Sequence, residues 1–365
     1  MNWGSELVFK KLICFRAINS RLRWQIYPIR LEMSGSSIVT VFFIFLRYFS
    51  RNVLRGMISL KYGVVIGWFW LLLCPLVCAQ TAVNGSGNLQ SGGRTRTFRF
   101  HLPTNQPKDN LPVLIAYHGD GGSGASFQSY AGFDAMADAQ QFIVVYPDAV
   151  TVGGGIQFNK YADNKPGFGS AGDTNGPNPP DPNAPDDVLF TSDLIDYLFQ
   201  NYRINRNRVY VTGHSGGGFM CYFLSMALPG KIAAFAPVAA NLWGNNSFLN
   251  GYFNAANYKP VPMLHIHSKG DPTVQSPIVP YPKTPAFVWP LSNYAYLNCG
   301  NGSTYTTAAV NPNVDSLTFC GSNKKIVMMM TKDASHGWST LFNVPQTIWN
   351  FVKTYQLTTF PEVDN

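Results

Sequence analysis

From residue 80 onward the chain has no net charge and no CxxC pair, and each absence closes off a class of function. The overall charge of +8 lies elsewhere. Residues 1–79 hold ten Lys or Arg against Glu6 and Glu32, and the remainder holds seventeen basic and seventeen acidic residues. A domain with no surplus positive charge has no electrostatic reason to bind a phosphate backbone, so no nucleic-acid partner is expected. Without CxxC spacing a zinc site is not expected, and no metal is assigned.

The basic N-terminal stretch reads as a targeting segment. Lys61 precedes an apolar run, Gly63–Val77, and Val77-Cys78-Ala79 before Gln80 suits signal-peptidase cleavage. The run is short for a bilayer span of ~20 residues. The reading is therefore a signal peptide over 57–79, beginning at Met57, with 1–56 an upstream extension outside any domain. A retained anchor is the rival, because 37–45 is a second apolar patch. Cleavage would give a secreted protein with no stable membrane association.

Three cysteines lie beyond this leader. Cys299 and Cys320 sit in polar, Gly- and Asn-rich sequence and form the natural disulfide of an exported chain. Cys221 lies in an apolar helical stretch and reads as buried packing. Asn84, Asn245 and Asn301 each open an N-x-S/T sequon.

Residues 80–93 are small and polar and read as a flexible segment. Then 94–357 alternates strands with helices, and 358–365 is a tail. Strands are expected at Arg94–His101, Val113–Tyr117, Phe142–Tyr146, Arg208–Thr212, Ile232–Ala239, Met263–His267 and Ile326–Met330. Helices are expected at Val188–Tyr202, Gly216–Leu228 and Pro345–Tyr355. Val- and Ile-rich runs separated by helices predict a mostly parallel sheet flanked by helices, in one α/β domain. There is no internal repeat. Gly153–Pro185, rich in Gly, Pro, Asn and Asp, is a long loop of the kind that is functional or disordered.

The chemistry concentrates in Gly213-His214-Ser215-Gly216-Gly217, a G-x-S-x-G motif directly after a strand and before a helix. The serine there occupies a strained turn, and its neighbours must lack side chains where backbones approach. Ser215 is the candidate nucleophile, and the N–H of Gly216 faces a developing oxyanion. A serine hydroxyl needs a base, and in this architecture the chain order is Ser, acid, His. His336 follows a strand and fits as the base. His265 and His267 share one face of an earlier strand and fit poorly. Asp271, on the loop after Met263–His267, is the preferred acid; Asp315 and Asp333 are the alternatives. The second oxyanion donor should lie in the turn 118–122, with the N–H of Asp120 the candidate and His118 structural. Asp186 and Asp187 read as helix-capping residues, or as carboxylates that pin the loop around the site.

The segments YHGDGG, DDVLF, RVYVTGHSGGGFM, HIHSKGDPTV and SHGW together resemble the secreted feruloyl esterase and polyhydroxybutyrate depolymerase family over roughly 95–355. The resemblance implies a single α/β-hydrolase domain and extracellular ester hydrolysis by Ser215, Asp271 and His336 without a cofactor. It also implies a cysteine pair like Cys299 and Cys320. Two features depart from the family: Ser339 follows Trp338, and the 153–185 loop is long. The favoured substrates are feruloyl-type esters of plant polysaccharides, with Trp243, Trp289 and Trp338 as candidate acyl-pocket residues, and a monomer is expected. Rivals are a polyhydroxybutyrate depolymerase, a prolyl-oligopeptidase-type peptidase lacking its propeller, and a catalytically inactive carbohydrate-binding or wall-associated module.

Overall fold

The computed structural model describes residues 12–18, 21–27, 83–104, 109–152, 155–158, 185–241, 259–274, 295, 298–300, 305–320 and 325–358. The chain divides into two units, Met1–Val77 and Cys78–Asn365. The described residues of the first unit form an antiparallel hairpin, β1 (Leu12–Ile18) and β2 (Arg21–Tyr27), which the sequence reading did not anticipate. The signal-peptide region 57–79, Trp243, Trp289, Asn245, Asn301 and most of the 153–185 loop lie outside the described residues.

The second unit is built on a ten-stranded sheet. In chain order its strands are β3 (Val83–Ser91), β4 (Arg94–Leu102), β5 (Val113–Tyr117), β6 (Ile143–Pro147), β9 (Val209–His214), β10 (Ala234–Val238), β11 (Met263–Ser268), β12 (Thr306–Asn311), β13 (Val314–Cys320) and β14 (Ile326–Thr331). A small hairpin, β7 (Val150–Val152) with β8 (Gly155–Gln157), stands apart from it. Across the sheet the order is β12-β13-β14-β11-β10-β9-β5-β6-β4-β3. The run from β14 to β6 is parallel, and antiparallel pairs close both edges.

Both faces of the sheet are covered, which is why its central strands are apolar without alternation. Along β5, Val113, Ile115 and Tyr117 enter one core, and Leu114 and Ala116 enter the other. On the first face pack α3 (Asp187–Tyr202), through Phe190, Leu194, Ile195 and Leu198, and α4 (Gly216–Ala227), through Met220 and Tyr222 to Leu224. On the other lie α1 (Gly124–Ala131), α2 (Asp134–Gln140) and α5 (Val344–Val352), which contributes Val344, Ile348, Trp349 and Val352. This is the mostly parallel, helix-flanked sheet that the sequence predicts.

One segment differs from its reading. Residues 83–91, read as part of a flexible stretch, form the edge strand β3. Its glycines serve the sheet: Gly85 pairs with Phe100 and Gly87 with Phe98. Each ring lies across its glycine, within 2.3 and 2.5 Å of where a Cβ would stand. Bare backbone under an aromatic ring is a known way to retain glycine in a strand.

Parallel pairing sets the functional edge. The chain passes from β5 to β6 on one side and then to β9 on the other, so the carboxyl ends of β5 and β9 meet where the winding reverses. Ligand sites of open α/β sheets form at such a point. Tyr117 is level with Gly213, His214 with Val238, Val238 with Ile266, and Ser268 with Thr331. The loops after β5, β9, β11 and β14 therefore leave the sheet along one rim.

Candidate active site

Ser215 stands between β9 and α4 at φ 52°, ψ −120°. An L-residue takes a positive φ of this kind only when its surroundings impose it. Its N–H donates to the carbonyl of Val238 at 3.0 Å, and its carbonyl accepts from Phe219 N–H at 3.0 Å. The tightness of the turn explains its glycines. A Cβ on Gly217 would lie 2.2 Å from the Tyr117 carbonyl oxygen, and one on Gly213 would lie 2.5 Å from Gly217. The expected steric reason for both glycines is met by backbone, which cannot yield.

The three side chains singled out in the sequence come together. His336 Nε2 is 3.0 Å from Ser215 Oγ, and His336 Nδ1 is 2.8 and 3.0 Å from the two carboxylate oxygens of Asp271. A carboxylate only accepts, so Nδ1 carries the ring proton and Nε2 is left to accept from the serine hydroxyl. The Asp271 side chain is inaccessible to solvent. Burial by itself would raise its pKa. Hydrogen bonds from His267, His336, Val274 N–H and Thr273 N–H outweigh that and hold the carboxyl well below the usual carboxylate range.

The alternative acids are engaged elsewhere. Asp333 accepts from Thr331 Oγ1, and its carbonyl accepts from Ser268 Oγ, which in turn accepts from Ser335 N–H. These bonds tie the His336 loop to the end of β11. Asp315, in β13, pairs with Lys332 at 3.3 Å.

The turn after β5 lies against Ser215. A Cβ on Gly119 would be 3.3 Å from Ser215 Cβ, and one on Gly216 would be 3.1 Å from the backbone N of Asp120. His118 is structural, as read: its Nδ1–H donates to the Gly119 carbonyl at 2.7 Å, and its Nε2 accepts from Ala149 N–H at 3.0 Å. Burial lowers its pKa, which keeps the ring neutral.

The capping reading holds for Asp186, while Asp187 pairs with Arg96 of β4 rather than with a loop. Asp186 caps α3 by accepting from Leu189 N–H at 2.8 Å. Asp187 is buried against the guanidinium of Arg96, which also donates to the Asp148 carbonyl at 3.3 Å. That joins α3, β4 and the loop after β6.

Sequence reasoning missed His214 and His267 as part of the site. His214 Nε2–H donates to the backbone carbonyl of His336 at 2.6 Å, tying the His336 loop to the G-x-S-x-G motif itself. His267 contacts Asp271 Oδ2 at 3.3 Å. The alternating His-Ile-His inside an apolar strand, just before the acid, was the available signal. Trp338, a candidate pocket residue, packs edge-on against Phe127 and Phe133, and its backbone N–H donates to the Tyr130 hydroxyl at 2.7 Å. Cys299 and Cys320 are bonded to each other, and Cys221 is buried and free. Among the described residues no helix is long and apolar enough to cross a membrane.

Comparison with known proteins gives a family and a fold. A family model described as "Putative esterase" matches residues 90–279, a span that holds Ser215 and Asp271. The chain is 27% identical over 267 residues to a bifunctional acetylxylan esterase/xylanase of Neocallimastix patriciarum, covering 72% of this chain and 34% of that protein. It is 29% identical over 164 residues to a poly(3-hydroxyalkanoate) depolymerase of Paucimonas lemoignei, covering 45% of this chain and 35% of that one. It is 26% identical over 165 residues to feruloyl esterase B of Talaromyces funiculosus, covering 45% and 41%. The chain thus spans well under half the length of these curated relatives. An acetyl xylan esterase from Aspergillus awamori superposes with a TM-score of 0.54 at 14% identity, covering 74% of this chain and 99% of that one. The shared architecture is the α/β-hydrolase fold.

Proposed function

Because this chain belongs to the esterase family whose model spans residues 90–279, we propose that it is a serine carboxylic-ester hydrolase with Ser215 as nucleophile, His336 as general base and acid, and Asp271 as the group that orients His336. The observation that carries the reading is the unbroken hydrogen-bonded line from Asp271 through His336 to Ser215. No inactive binding module needs a buried carboxylate, an imidazole and a strained serine in that order.

The reaction is two-step acyl transfer. His336 Nε2 takes the Ser215 proton as Oγ attacks the ester carbonyl. The oxyanion is held by Gly216 N–H at the start of α4, with Asp120 N–H as the second donor; the closeness of Asp120 N to Gly216 supports the pairing. His336 then protonates the leaving alcohol. Water repeats the sequence on the acyl-enzyme and releases the acid. Asp271 stays ionised throughout, which its depressed pKa favours. No cofactor is required.

The substrate class follows the relatives. An acetylxylan esterase/xylanase and a feruloyl esterase among them support acetyl or feruloyl esters of plant polysaccharides. Their company also supports action outside the cell. The match to a poly(3-hydroxyalkanoate) depolymerase favours a second reading, hydrolysis of short hydroxyalkanoate polyesters by the same residues. Turnover of methyl ferulate, acetylated xylan and a hydroxybutyrate oligomer by the purified chain tests both. Preference for either of the first two supports the polysaccharide reading, and preference for the oligomer supports the second. No turnover of any of them, nor of a simple aryl ester, refutes the enzyme.

A further inference from the structure

Behind the acid lies a chain of buried polar side chains that the mechanism above does not use. Tyr222, on α4 two turns beyond the nucleophile, has its hydroxyl 2.5 Å from His265 Nδ1. His265 Nε2 is 2.9 Å from His267 Nδ1, and the two rings lie edge to edge, nearly parallel at 7° with their centroids 5.1 Å apart. His267 Nε2 is 2.8 Å from the Val274 carbonyl and 3.3 Å from Asp271 Oδ2. His265 and His267 are buried, as is Tyr222. With Asp271, His336 and Ser215 the chain closes a circuit that begins on α4 and returns to the residue that caps it.

The protons in this chain can be assigned from its acceptors. The Val274 carbonyl and an ionised Asp271 only accept, so His267 Nε2 carries hydrogen. In a neutral ring Nδ1 is then bare and accepts from His265 Nε2–H. His265 Nδ1 is bare in turn and accepts the Tyr222 hydroxyl proton. Burial keeps this order: it drives the His265 pKa well down and the Tyr222 pKa well up, so the imidazole stays neutral and the phenol keeps its proton. Every donor along the line points toward Asp271.

We propose that His267 is a positioning residue for the Asp271 carboxylate, and that Tyr222 and His265 fix the Nε2–H tautomer in which it does so. The inference rests on the assignment of Asp271 as the acid of the triad. His267 Nε2–H, hydrogen-bonded to the Val274 carbonyl at 2.8 Å, lies 3.3 Å from Oδ2 beside the His336 contact, while Thr273 and Val274 N–H donate to Oδ1. The carboxylate is thereby fixed in rotation and presented to His336 at one angle. The other ionisable groups around it are His336, from the loop after β14, His214, at the end of β9, and Asp333, whose carbonyl receives Gly270 N–H.

The test compares His267→Phe, His267→Gln and Tyr222→Phe in the full chain with a soluble aryl ester. Loss of one hydrogen bond to a charged group should lower kcat about tenfold in His267→Phe, with KM within about twofold. The acid limb of kcat/KM should move to higher pH, since a carboxylate with one donor fewer holds a proton, and its partner imidazolium, more tightly. His267→Gln, whose amide places an N–H near the Nε2 position, should recover kcat to within about threefold of wild type, and Tyr222→Phe should shift the limb in the same direction by less. Nitrogen NMR of the wild-type ring should show hydrogen on Nε2 and none on Nδ1 of His267, a result that does not depend on any variant folding. Hydrogen on Nδ1, or a folded His267→Phe with wild-type kcat and pH profile, would overturn the inference while leaving the triad intact. Wild type that neither hydrolyses the ester nor reacts with a fluorophosphonate would overturn the triad assignment, and this inference with it.

Discussion

Ser215 holds a backbone conformation that side chains avoid, and Gly213 and Gly217 fit beside it only because they lack side chains. Removing its hydroxyl, or the His336 imidazole, should lower kcat on the order of a million-fold, and the double variant should be no worse than either alone. Steady-state kinetics on an aryl ester, with substrate in excess, measures both. Asp120 makes a contrasting prediction. If only its backbone N–H serves the oxyanion, Asp120→Ala should stay within about tenfold of wild type, whereas a lost donor typically costs a hundredfold or more. Asp271 adds a dependence on pH. Its folded pKa lies below its ordinary 3.8, so the ionised form favours the folded chain. That stabilisation is complete above the ordinary value and is lost as the pH falls through the depressed one. The difference in urea midpoint between wild type and Asp271→Asn should therefore be largest near neutrality and shrink below about pH 4. Ser215, Asp271 and His336 were legible because fold order restricts the choice: an acid and then a histidine must follow the nucleophile. His214 and His267 were not, because their partners, a backbone carbonyl and a carboxylate, are set by pairing between strands that sequence spacing does not reveal.

Elements were legible where burial on both faces gave long apolar runs, as in β5, β6, β9 and β11. The missed helices α1 and α2 carry short, mixed stretches such as GASFQSYA, whose start depends on a local capping exchange between Ser123 and Ser126. The edge strand β3 was misread because its residues are small and polar, and the sequence does not show the Phe98 and Phe100 rings that cover its glycines. Gly85→Val, a change that raises strand propensity, should accordingly destabilise the protein by about 1–3 kcal/mol in urea unfolding, since the Phe100 ring must move. The ion pair of Arg96 and Asp187 links β4 to α3 with both side chains buried. Asp187→Ala should cost about 3–5 kcal/mol by leaving the guanidinium uncompensated, and replacing both partners with apolar residues should cost much less.

At the scale of the whole molecule, one sheet rim gathers four loops whose residues lie far apart in sequence. Parallel register is what brings them level, and no local signal encodes it. The alternation of strands and helices was enough to anticipate a mostly parallel sheet, but not the antiparallel β12–β13–β14 edge, whose β12 is exposed along nearly its whole length. The Cys299–Cys320 bond closes a separation of 21 residues onto β13. Its reduction should lower stability by about 3 kcal/mol, seen as a lower melting temperature in reductant. The remaining question at this scale is whether the assembled rim works as a single nucleophilic centre. Intact-mass spectrometry after treatment with a fluorophosphonate answers it most directly. One adduct per chain, mapped to Ser215 and absent from Ser215→Ala, is the predicted result. An unmodified wild type that still hydrolyses esters, or an adduct that persists in Ser215→Ala, would contradict the account.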